Sequence, residues 1–167
     1  MALTSEERAT LLRELKDQEA ALLAACAAWE RPAPEGEWSV SAIAEHLEKT
    51  DRRVFRLLQS PALRFDDPAP PVLSDEELFR RVASRGRPAQ APAATLPEGR
   101  WQSEPEFREA YQAFRQSLYA WIEQTSLPLR DGRCPHPMIG MFDGYQWLLF
   151  LAAHGRRHIA QIEERAE

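Results

Sequence analysis

The sequence predicts an all-α protein, a four-helix bundle with a long proline-rich crossover between helices two and three. Four amphipathic runs of roughly 20 residues point to the bundle, since each offers one apolar stripe to a shared core. No segment shows convincing strand alternation, and eight of the 13 prolines fall between Pro61 and Pro105, where they prevent one continuous helix. At 167 residues the chain fits a single domain, residues 1–167.

The first helix is expected over residues 5–29. Thr4-Ser5-Glu6-Glu7 has capping-box spacing, and Leu11, Leu12, Leu15, Leu22 and Leu23 then recur at helical intervals. Two prolines and a glycine between Arg31 and Glu37 break the chain. Trp38-Ser39 opens the second helix, which runs through Ile43, Leu47, Val54, Leu57 and Leu58 and ends near Gln59, before Pro61. Within the crossover Ser74-Asp75-Glu76-Glu77 forms another capping box ahead of Leu78, Phe79 and Val82, so a short helix is expected there. The stretch from Gly86 to Gly99 is expected to run over the surface. Ser103, with Pro105 in the first turn and Glu106 three residues on, starts the third helix, residues 104–125, whose inner face carries Phe107, Tyr111, Phe114, Leu118, Trp121 and Ile122. A loop from Leu127 to Phe142 follows. Asp143 then caps the fourth helix, through Trp147, Leu148, Phe150, Leu151, His154, His158 and Ile162.

Composition narrows the function. Hydrophobic residues at 44% and charged residues at 28% are ordinary for a water-exposed globular chain, and no apolar run approaches the roughly 20 residues of a membrane-spanning helix. A net charge of -5 opposes unspecific binding to nucleic acid or anionic lipid. The acidic start, MALTSEER, has no signal-peptide character, and Cys26 and Cys134 do not make a disulfide framework, so a reduced, cytoplasmic setting is expected.

Three of the four histidines sit where they can converge. His154 and His158 are four apart on the apolar face of the fourth helix, and His46 lies on the inner stripe of the second. Buried imidazoles each carry a donor and an acceptor that need partners, and a shared cation would use three acceptors at once. Three nitrogen ligands leave coordination positions for water or substrate, as in a catalytic zinc site. The alternative for each is a hydrogen-bonded core histidine. An HExxH metalloprotease is excluded because Gly155 stands where the glutamate would be.

The order Trp38-Ser39, His46-Leu47, then His136-Pro137 with Gly140, then His154, Arg157, His158, Gln161 and Ile162 resembles the DinB-like superfamily of bacterial four-helix bundles. That resemblance covers Trp38 to Ile162. It implies that His46, His154 and His158 bind a divalent metal, nickel, zinc or iron. It also implies kinship with thiol transferases and isomerases that use bacillithiol, mycothiol or glutathione, and it allows a homodimer. Two functions stay open: a metal-dependent transferase activating a low-molecular-weight thiol for attack on a small-molecule substrate, and a non-catalytic metal-binding or dimerising bundle.

Other residues take supporting expectations. Gln161, one turn from His158, is placed to hydrogen bond a ligand ring or a bound water. His136, between two prolines, is expected to lock the loop rather than ligate, and Arg157 fits an outer-face ion pair. Cys134 reads as a reduced loop cysteine; as a ligand it would instead close the coordination sphere. Trp38, Tyr145, Trp147 and Phe150 are candidates for an apolar wall beside the metal or for plain core packing. Glu45, Glu48 and Lys49 are expected on a solvated face.

Overall fold

The computed structural model describes residues 1–86 and 89–165 and contains the four long helices. They are α1 (Ser5–Ala25), α2 (Val40–Leu58), α4 (Glu104–Gln124) and α5 (Gly144–Glu163), with a short α3 (Asp75–Ala83) inside the crossover. Each starts where its capping residue predicts. The Thr4 hydroxyl accepts the Glu7 amide at 3.1 Å while the Glu7 carboxylate accepts the Thr4 amide at 2.8 Å, and Ser74 and Glu77 repeat the reciprocal pair. Ser39, Ser103 and Asp143 cap α2, α4 and α5 through a side-chain oxygen.

Helix α5 packs against α1, α2 and α3, which explains why every residue from Gly144 to Ala153 is buried and why its sequence is apolar almost all round. Helix α4 closes the bundle on the side where it meets α1 and α2. Among the described residues no helix is long and apolar enough to cross a membrane.

The structure departs from the sequence reading in four places. The first α-helix stops at Ala25, and Cys26–Ala28 tighten into a 3-10 turn that carries the chain toward Pro32. Within the stretch read as a loop lies a small antiparallel hairpin, β1 (Arg133–His136) and β2 (Gly140–Asp143), and Arg64 bridges to Arg133 beside it. Strands of four residues, one of them interrupted by Pro135, are too short to show alternation. Gly140 turns with φ +116°, and a Cβ there would come within 3.0 Å of Val72, so glycine suits this turn twice over.

The crossover also comes inward. Thr95 is buried, its hydroxyl donating to the Pro92 carbonyl at 3.0 Å. Glu45 and Glu48, expected in solvent, are buried as well: the crossover covers Glu45, and Arg52 and Arg100 pair with Glu48.

Helices α1 and α5 pack closely at Gly155, where a Cβ would lie 2.4 Å from the Gln18 side chain. Gln18 is held in place because its Oε1 accepts from the buried Arg115 guanidinium. Gly155→Ala is therefore expected to destabilise by a net of about 1–2 kcal/mol, overpacking outweighing the gain of about 1 kcal/mol in helix propensity. A urea midpoint equal to that of the parent would show that Gln18 yields freely.

Candidate metal centre

The three histidines converge from two helices. α2 brings His46, which is buried, and α5 brings His154 and His158 on one face, one turn apart. Each offers one ring nitrogen, and these three atoms lie within 4.8 Å of one another. Nε2 of His154 is 3.3 Å from Nε2 of His46 and 3.2 Å from Nε2 of His158.

The opposite ring atoms fix the protonation pattern. Nδ1 of His46 lies 2.9 Å from the Thr95 carbonyl, which carries no proton, so Nδ1–H donates and Nε2 keeps its lone pair. Nδ1 of His158 donates in the same way to Oε1 of Gln161 at 2.9 Å. His154 could donate one Nε2 proton to only one of these two neighbours, so at least one close contact sets lone pair against lone pair. Its Nδ1 is buried with no hydrogen-bond partner among the described residues. A cation resolves the first conflict. Nitrogens about 2.0–2.1 Å from a tetrahedral ion lie about 3.3 Å apart, the spacing of the two contacts that His154 makes.

Electrostatics favours neutral rings. Burial pushes His154 well below the ordinary imidazole range, and His158 and His46 push it further. Burial, with His46 next, takes His158 down to about 4 against the opposing Gln161 hydrogen bond. Burial also lowers His46, outweighing its bond to Thr95. All three are unprotonated near neutral pH, the form that ligates metal.

Around the cluster, the Trp38 ring lies 5.0 Å from that of His46, and Phe150 stacks on His154 at 5.1 Å. These two, of the four aromatic residues considered for that position, pack directly against histidines of the cluster. Trp147 turns instead to Phe142 and His136, its indole N–H donating to the Cys134 carbonyl at 3.1 Å, and Tyr145 packs under the Arg130 guanidinium at 3.7 Å. His136 lies outside the three-histidine group; its Nδ1 accepts the Met138 amide at 3.2 Å and its ring rests on Phe142 and Phe150. Cys134, buried in β1, is likewise not part of the group. The Arg157 guanidinium donates to the Ser84 carbonyl, joining α5 to the end of α3. Thr95 is the participant that sequence reasoning missed.

A helical bundle with three inward histidines able to hold one divalent ion is thus the class of protein the fold and site define. The DinB superfamily profile matches residues 11–162, and the chain belongs to that superfamily. It is 26% identical over 138 residues to the uncharacterized protein YuaE of Bacillus subtilis (strain 168), covering 83% of this chain and 82% of that one. No solved structure matches.

Proposed function

We propose that the protein is a divalent-metal enzyme in which His46, His154 and His158 are the ligands and a low-molecular-weight thiol is activated for attack on a small electrophile. The observation that carries this reading is the meeting of three Nε2 atoms whose opposite ring nitrogens cannot relieve them: two are bonded to Thr95 and Gln161, and the third is buried without a partner among the described residues.

A bound cation supplies positive charge that lowers the pKa of a thiol and makes thiolate available at neutral pH. The chain's own residues prepare the place. His46, His154 and His158 stay neutral and present nitrogen lone pairs, and Thr95 and Gln161 fix two rings in the ligating tautomer. Trp38 and Phe150 place apolar rings against His46 and His154, surroundings that suit a nonpolar electrophile. Three protein ligands, without Cys134, favour an open position and therefore catalysis over a closed structural site. The thiol itself rests on the superfamily resemblance.

Metal analysis of protein purified without a histidine tag tests the ligands. The parent is expected to hold about one divalent ion per chain and His46→Ala, His154→Ala and His158→Ala far less. Equal, near-zero content in all four would remove the proposal. The loaded protein is then expected to conjugate bacillithiol, mycothiol or glutathione to a member of an electrophile panel. Bound metal with no turnover by any of them would leave the ion as a staple between α2 and α5.

A further inference from the structure

Glu45 adjoins His46 in sequence, yet its carboxylate serves the crossover. It accepts the backbone N–H groups of Glu98 at 2.9 Å, Gly99 at 2.9 Å and Arg100 at 3.1 Å. Gly99, at φ +75°, lets three successive amides point at one anion. Lys49, one turn along α2, reinforces the grip: its ammonium donates to the Leu96 carbonyl at 2.7 Å and pairs with Glu98 at 2.9 Å and Glu45 at 3.4 Å. Between Thr95 and Arg100 the crossover is therefore strapped to α2.

The strap delivers one atom to the histidine cluster, the Thr95 carbonyl that takes the Nδ1 proton of His46. The Thr95 amide and hydroxyl both donate to Pro92, which sets the residue's orientation locally. Its distance from α2 is set by the strap. His158 differs, because its partner Gln161 comes from the same helix three residues on. His46 instead depends on a backbone carbonyl 49 residues away. Without that carbonyl the ring is free to turn and to carry its proton on Nε2, where it cannot ligate.

We propose that Glu45 is a positioning residue for the metal centre: by holding the amides of Glu98, Gly99 and Arg100 it keeps the Thr95 carbonyl on Nδ1 of His46 and so presents Nε2 to the ion. The inference rests on the metal reading given above. Glu45→Gln preserves size but replaces one of the two accepting oxygens by an NH2 group that faces backbone N–H. It is expected to weaken zinc and cobalt binding about 10- to 100-fold, measured by competition with a chromogenic chelator. It is also expected to alter the visible absorption of the cobalt-loaded protein and to move the His46 nitrogen-15 resonances away from a single Nδ1–H tautomer. Lys49→Met, which leaves all three amide bonds in place, is expected to cause a smaller loss in the same direction, with faster hydrogen exchange over residues 96–100. It decides the matter if Glu45→Gln fails to fold. Lower stability with unchanged affinity, cobalt spectrum and His46 tautomer would overturn the assignment. Absence of metal binding by the parent, read before any variant, would overturn the metal reading itself.

Discussion

Asp51→Ala is expected to destabilise the protein by about 3–5 kcal/mol, because it leaves the Arg115 guanidinium buried without its counter-charge. Both side chains are within 2% of full burial. Arg115 donates from Nε to Asp51 at 3.0 Å, from Nη1 to the Leu15 carbonyl at 3.3 Å, and from Nη2 to the Tyr111 hydroxyl at 2.6 Å and to Gln18. Tyr111 in turn donates to Asp51 at 2.9 Å. Burial lowers the guanidinium pKa and Asp51 beside it more than offsets this. Without Asp51 the guanidinium still stays charged at neutral pH, because its ordinary pKa lies far above the neutral range, and the charge is left uncompensated. For a chain of this size the loss corresponds to a melting-temperature drop on the order of 10 °C. A double-mutant cycle with Arg115→Ala separates pairing from packing, and a coupling above about 1 kcal/mol is expected. Additive losses would mean that the two groups do not stabilise each other. The consequence reaches the metal centre: the network joins α1, α2 and α4, and its Gln18 lies against Gly155, next to His154.

The sequence made the histidines readable because side-chain periodicity is what a sequence displays. His46 follows Ile43 on the buried stripe of α2, and His154 and His158 share a face with Leu151, so their inward direction came from the same 3.6-residue period as the core. Gln161 was readable for the same reason, being local to His158. Thr95 was not, because its contribution is a backbone carbonyl that any residue type could supply, placed by a proline-rich segment with no periodicity. Glu45 failed in the opposite sense. Its helical angle does point away from the bundle core, and only the crossover, whose path no local signal specifies, turns that face into an interior. Tyr145 and Trp147 were assigned by apolarity alone, which marks burial without saying which of several neighbours a ring meets.

Saturating zinc is expected to raise the melting temperature of the parent protein substantially, and to leave that of His154→Ala almost unchanged. An ion that binds only the folded state adds about 4 kcal/mol when present at about 1,000 times its dissociation constant, a shift on the order of 10 °C for this chain. His154 is the decisive substitution, because its Nε2 is the atom within 3.3 Å of both other ligands, and without it His46 and His158 retain their separate partners but no shared centre. His136→Ala supplies the control. Its ring is also neutral, with burial taking it down to about 4, yet it lies outside the cluster, so the zinc-induced shift should survive its loss. The comparison works without knowing the substrate, since it reads the linkage between folding and ligation directly. Chelator should return the parent to its metal-free melting temperature. Equal zinc-induced shifts in the parent, His154→Ala and His136→Ala would place the ion elsewhere on the protein and leave the three converging imidazoles as core histidines.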